Sequence, residues 1–286
     1  MTAGAVARTP IIDTHLHFWD LATYGHDEWL RTSPSIHRSF LPADLKPELD
    51  RRGVDLGVIV EAAHDHRLNL WWLSLVAECD WIGAVVVGCE LEQADLPAAF
   101  DAYAESSRFV GVRTTPAGPP DGWAGDPATE RGLREMARRD LSLDLLVGYE
   151  SFPAVAELAA RHPSLRIILD HCGHPPIREG RLDDWRRQLA PLAGYDNVSV
   201  KYSSLLLYTH PDSSQERLRP VAHFLLDTFG VNRMAWGSNW PVELLGGSYQ
   251  DAYSAMTRAA EPLTGDERAA LMGGTAARFY KVRWPR

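Results

Sequence analysis

Near the start of the chain, in IIDTHLHFWD, His15 and His17 stand two apart just after an apolar run. In extended backbone, positions i and i+2 project to the same face. Two imidazoles so placed at the end of a strand can hold a divalent metal ion or act together on a substrate oxygen. The bland alternative is a hydrogen-bonded pair at a turn. Asp13 then either orients one ring or caps that turn. A second group, RIILDHCGHPP, ends an apolar run on Asp170 and His171, with His174 in the loop beyond. A third, RMAWGSNWPV, sets Gly237, Ser238 and Asn239 on a turn. Asn239 is a neutral amide, which hydrogen-bonds but takes no proton usefully at pH 7.

Four more kinds of residue bear on this chemistry. Arg113 closes FVGVR, where a guanidinium binds a carboxylate or hydroxyls in bidentate fashion or ties the rim as a salt bridge. Lys201 in VSVKYSSL orients a substrate oxygen or neutralises a carboxylate. Glu61, Glu90, Glu150 and Glu243 follow apolar runs, and such acids are more often solvated or paired than catalytic. Trp19, with Phe18, Trp29, Trp236 and Trp240, suits a flat ring or sugar platform, although packing is the commoner use of such aromatics.

These groups need a frame that gathers them. Eight short apolar runs alternate with amphipathic segments: Pro10 to Asp13, Leu56 to Val60, Ile82 to Val87, Phe109 to Arg113, Ser142 to Val147, Arg166 to Asp170, Val198 to Tyr202 and Met234 to Gly237. Helix candidates lie between them, at Leu68 to Cys79, Ala98 to Ser106, Thr129 to Arg139, Phe152 to Arg161 and Ser213 to Phe229. A last one opens on Thr264 with Glu267 three residues later, the spacing of a capping box, and runs into LMGGTAARFY. The alternation predicts repeated strand-helix units and a parallel sheet covered on both faces. About 36 residues per unit suits a single (β/α)8 TIM-type barrel spanning 1–286, whose chemistry sits at the C-terminal rim. A doubly wound open sheet is disfavoured because HLHFWD, rather than a glycine-rich turn, follows the first strand. The aromatic stretch Phe18 to Arg38 is expected to form a loop or lid over the rim.

Composition narrows the partners. The 286 residues carry 38 acidic against 29 basic side chains, a formal charge of -9, with no concentrated basic run, which argues against nucleic acid or an anionic membrane. A small-molecule substrate remains. No stretch of about 18 apolar residues exists and no signal peptide is discernible, so a cytoplasmic location is expected. Cys79, Cys89 and Cys172 are too few and scattered for a disulfide framework or a zinc finger. The sequence leaves the oligomeric state open.

Taken with FLPADLKPELDRRGVD, FVGVR, VSVKYSSL, WGSNWPV and the closing GGTAARFY, the motifs make nearly the whole chain resemble the amidohydrolase-related branch of the amidohydrolase superfamily, which includes sugar-lactone and pyrone-dicarboxylate lactonases. The resemblance implies a distorted (β/α)8 barrel acting on small cyclic esters. It further implies that His15, His17 and His171 bind the substrate carbonyl directly or through one divalent ion, zinc or manganese. Members of the branch differ in whether they need a metal. The expected water-activating base is an eighth-strand aspartate in GSDWPV, and this chain has Asn239 there. Loss of a general base typically costs about 10² to 10⁴ in rate. A chain altered to trap substrate, a member with changed chemistry, and a member using another base, with Glu61 first among candidates, all stay open at this point. Lactone hydrolysis is the leading expectation, with Arg113, Lys201, Glu61 and Trp19 contacting substrate. A decarboxylase, hydratase, lyase or cyclase of the same superfamily, or a catalytically silent binding protein, is the alternative.

Overall fold

A computed structural model describes residues 8–23, 28–115, 120–123, 125–209 and 215–284. The eight apolar runs become eight parallel strands paired in sequence order: β1 (Ile12–Leu16), β2 (Leu56–Val60), β3 (Ile82–Gly88), β4 (Phe109–Thr114), β5 (Ser142–Leu145), β6 (Arg166–Leu169), β7 (Val198–Ser203) and β8 (Met234–Gly237). Most strand positions are buried, as expected of strands with helices outside and side chains filling the centre. The cylinder closes at the rim, where Leu16 forms a parallel bridge with Trp240 and His17 N–H donates to the Trp240 carbonyl at 2.8 Å. The chain is thus a TIM-type barrel.

Strand β1 runs three residues beyond its expected end, so His15 lies inside the strand rather than after it. The apolar signal stops at Asp13 because Asp13 and His15 are buried polar residues with different partners, Asp13 bonding to the Ser238 N–H and the Tyr249 hydroxyl and His15 facing Lys201, across a register irregularity in β1. The last helix starts at the expected box, where Thr264 Oγ1 accepts from the Glu267 N–H at 3.2 Å. It is then interrupted by a π-turn, Ala270–Gly274, between Gly265–Ala269 and Thr275–Phe279. The cause is close packing, because a Cβ on Gly273 would lie 1.8 Å from the Pro10 carbonyl oxygen. Of the aromatic stretch after β1, residues 24–27 lie outside the described residues; the rest contains two short helical turns, Glu28–Arg31 and Pro34–Ile36. The helix expected from Ser213 likewise begins partly outside them and is seen over Arg219–Phe229.

Candidate active site

Among the described residues, five of the seven non-glycine residues with positive φ, namely His171, Cys172, His174, Ser204 and Asn239, lie just past the ends of β6, β7 and β8. A left-handed backbone costs these side-chain types about 1–3 kcal/mol each and persists only where the surroundings over-determine it, and such residues cluster at functional sites. His171, His174 and Asn239 among them wall a cavity of about 480 Å³ at the C-terminal rim together with His17, Trp29, Glu61, His64, Arg113 and Tyr208, while Cys172 turns to the Lys201 carbonyl and Ser204 to Asn239.

Arg113 at the end of β4 anchors one wall. Its Nε donates to Glu61 Oε1 at 2.6 Å and its Nη2 to the Glu61 carbonyl at 2.6 Å. Its Nη1 lies 3.5 Å from His15 Nε2 and 3.6 Å from Asp170 Oδ2. Two guanidinium nitrogens are therefore fixed, while the third has donor capacity left. Burial alone would push the Glu61 carboxyl up, but Arg113 and His64 pull it down to about 2. Glu61 is thus clamped and ionised, too weak a base to replace a missing aspartate at 239.

His171 lines the same cavity. Its Nδ1 lies 2.8 Å from Ser203 Oγ, which in turn faces the Lys201 carbonyl at 3.5 Å. With the serine proton given to that carbonyl, the imidazole proton sits on Nδ1 and the Nε2 lone pair is left free. Burial holds this ring well below the ordinary histidine value against the pull of Asp170, so it is neutral at pH 7. His17 lines the cavity too, its Nδ1 2.9 Å from the Val60 carbonyl and its Nε2 3.0 Å from Asn239 Oδ1. Burial, then Arg113, lowers it to about 4. Asn239 is tied to Ser204 Oγ through Nδ2 at 2.7 Å.

Three residues expected to touch substrate, Lys201, His15 and Trp19, are off the cavity wall. Lys201 is fully buried and off the cavity wall; its Nζ lies 2.5 Å from Asp144 Oδ2 and 3.0 Å from Asp170 Oδ1. It points inward from β7 because those two carboxylates occupy the barrel centre, and Tyr280 OH also donates to Asp144 at 2.8 Å. His15 is equally enclosed, with Nδ1 3.2 Å from Lys201 Nζ. Trp19 is buried against Phe40 and Trp29, with Nε1 donating to the Arg38 carbonyl at 2.6 Å. Trp29, 37% exposed, is the tryptophan that reaches the cavity. Among residues that sequence reasoning passed over, Asp144 had a readable signal: an acid inside the apolar run SLDLLV. Ser204 had none, since its role follows from a positive φ.

Residues 12–282 match the family model described as amidohydrolase. The chain belongs to the amidohydrolase family. It is a hydrolase of that family. Among similar proteins, an L-fucono-1,5-lactonase of Burkholderia ambifaria is 34% identical over 280 residues, 96% of each chain. One of Burkholderia multivorans is 31% identical over 290 residues, covering 96% of this chain and 97% of its own length. An amidohydrolase from Burkholderia multivorans, solved with bound zinc, superposes with a TM-score of 0.87 at 31% identity, over 96% of this chain and all of its own.

Zinc in that relative raises the question of whether this donor set fits a metal. The three amidohydrolase imidazoles converge, His15 lying 3.1 Å from His17 between Nε2 atoms and 4.4 Å from His171 between ring centroids. They do not form a ligand set: among the described residues no group of three or more His, Cys, Asp or Glu side chains is placed to hold an ion. The carboxylate that would balance an ion's charge is an amide at 239, Arg113 stands beside His15, and the His15 Nδ1 that should donate to an acceptor faces an ammonium instead.

Glu243, four residues beyond Asn239, is a further buried acid. Its Oε1 accepts the Leu206 N–H at 3.1 Å and its Oε2 has no hydrogen-bond partner. Burial pushes this carboxyl up from 4.5 to about 8. The unfolded chain therefore ionises Glu243 from about pH 4.5 and the folded chain only near pH 8, so stability from this group is lost as pH rises through that window. The slope is about 1.4 kcal/mol per pH unit. Glu243→Gln removes it, and melting curves at pH 5 and pH 8 should show the variant gaining on the wild type at the higher pH. A constant difference would show that Glu243 ionises normally.

Proposed function

We propose that this amidohydrolase opens a neutral sugar lactone by adding water to the ring ester. The observation that carries the reading is the pair on one cavity wall: a guanidinium whose Nη1 has only the long contacts to His15 at 3.5 Å and Asp170 at 3.6 Å, and a neutral imidazole whose free lone pair is set by Ser203. The lactonase names of two relatives at 34% and 31% identity support it.

In this reading the lactone carbonyl oxygen docks on Arg113 Nη1. Water attacks the carbonyl carbon, giving its proton to His171 Nε2, and the negative charge that develops on the carbonyl oxygen is met by the guanidinium. Collapse of the tetrahedral intermediate breaks the bond to the ring oxygen, which takes the proton back from His171 and leaves as the hydroxyl of an open-chain acid. Asn239, held by Ser204, hydrogen-bonds the water and orients it without deprotonating it. Glu61 holds Arg113 in place, and Lys201, Asp144 and Asp170 hold His15 from behind.

Charge favours a neutral substrate over a dicarboxylate. Arg113 is matched by Glu61 and Asp170, and the cation-prone His64 sits 3.6 Å from the same Glu61. The site thus offers no uncompensated positive charge to a second carboxylate. Trp29 and Tyr208 supply ring faces and the histidines supply partners for hydroxyls.

A panel of sugar 1,5-lactones, sugar 1,4-lactones and a pyrone dicarboxylate, followed by NMR for the open acid, tests the assignment. The neutral lactones should be hydrolysed in preference, and hydrolysis of the dicarboxylate alone would refute the charge argument. Arg113→Met should lower kcat/KM by about 10²- to 10³-fold, the usual effect of removing an oxyanion donor. An unchanged rate would place the carbonyl elsewhere.

A further inference from the structure

We infer that a hydrogen bond between His15 and His17 fills the place where two ring nitrogens would otherwise share a divalent cation, and that Lys201 and Asn239 fix this metal-free state. The 3.1 Å between the Nε2 atoms is close to the separation of two nitrogens on one zinc and equally that of an N–H···N bond. The position of the protons decides between them.

His17 Nδ1 faces the Val60 carbonyl at 2.9 Å, which only accepts. The ring proton is therefore on Nδ1, and Nε2 is a bare acceptor. The nearest partner of His15 Nδ1 is Lys201 Nζ at 3.2 Å, which only donates. Its Nδ1 is therefore bare, its Nε2 carries the proton, and that proton points at His17, the nearer partner at 3.1 Å, so that Arg113 Nη1, 3.5 Å from the same nitrogen, is left to pair with Asp170 Oδ2 at 3.6 Å instead. Asp170 Oδ1, the carboxylate that could have accepted from His15 Nδ1, is farther at 3.5 Å and lies 3.0 Å from the same ammonium. A metal ion on both Nε2 atoms would require the His15 proton to move to Nδ1, directly against Lys201. It would also place a second cation near Arg113 Nη1, 3.5 Å from His15.

Asn239 completes the arrangement. An amide oxygen facing the bare Nε2 of His17 at 3.0 Å is repulsive, whereas the amide nitrogen in that position donates to it, sharing the one ring lone pair with the His15 proton. Ser204 Oγ tolerates the exchange because a hydroxyl both donates and accepts. The amide thus serves a neutral imidazole pair, and it brings none of the negative charge with which a carboxylate would attract an ion.

The experiment is zinc uptake by the full chain, stripped with chelator, loaded with zinc chloride, desalted and counted by elemental analysis. Wild type should retain no more zinc than His17→Ala, and Asn239→Asp should retain one ion per chain. Stoichiometric zinc in the wild type that is lost in His17→Ala would overturn the inference, and a folded Asn239→Asp that takes up none would overturn the role of Asn239. Nitrogen NMR of histidine-labelled wild type gives a readout that needs no variant. It should show His17 protonated at Nδ1 and His15 at Nε2, and a proton on His15 Nδ1 would contradict the arrangement.

Discussion

Asn239→Asp is expected to raise lactone turnover by up to roughly 10²-fold, the lower end of what a positioned general base contributes, because His171 already takes the proton in the wild type. The change puts a carboxylate on the cavity wall within reach of the water that the amide now only orients, 3.0 Å from His17 Nε2 and beside Ser204. Burial there raises a carboxyl toward neutral pH, which improves it as a base, as it does for Asp13 and Asp144, both pushed up to about 6. Assays should be run with chelator and again with added zinc. A gain that persists under chelation is the carboxylate acting as base, and a gain confined to zinc is the converted imidazole pair. Equal rates for wild type and Asn239→Asp in both conditions would remove position 239 from the reaction.

His171→Gln is expected to lower kcat by about 10²- to 10⁴-fold with little change in KM. The glutamine keeps a donor toward Ser203 but has no basic nitrogen to take the proton from water. The pH profile separates this from a structural effect. Burial depresses the His171 value well below 6.5, so the wild-type rate should stay flat from pH 6 to 8 and fall only in more acidic solution, where the ring protonates. A wild-type rate that falls between pH 7 and 6 would mean that a group of ordinary histidine value is the base. Loss of KM alone in His171→Gln would make the ring a binding residue.

The barrel was legible because strands buried on both faces write themselves as apolar runs: β2 and β8 match their expected bounds residue for residue. Strand β1 was cut short for the opposite reason, since its later residues include the buried polar Asp13, held by Tyr249 and Ser238, and His15, which faces Lys201, where polarity marks function rather than a loop. The histidines and Arg113 could be named from their positions at strand ends. Their duties could not, because duty depends on what faces each nitrogen. Lys201 reads like a substrate ligand until two carboxylates are found on it, and Glu61 reads like a spare base until Arg113 is found holding it. Trp19 and Trp29 are ten residues apart in one aromatic stretch, and only the fold tells which reaches the cavity.

The most direct test of the account is the rate of sugar-lactone opening by wild type, His171→Gln and Arg113→Met across the panel of neutral lactones, each compared with the buffer reaction. The account predicts that wild type exceeds buffer and that both variants fall most of the way back to it. A wild type no faster than buffer across the neutral sugar lactones, or variants that keep its full rate, would contradict the claim that Arg113 and His171 open a lactone in this cavity.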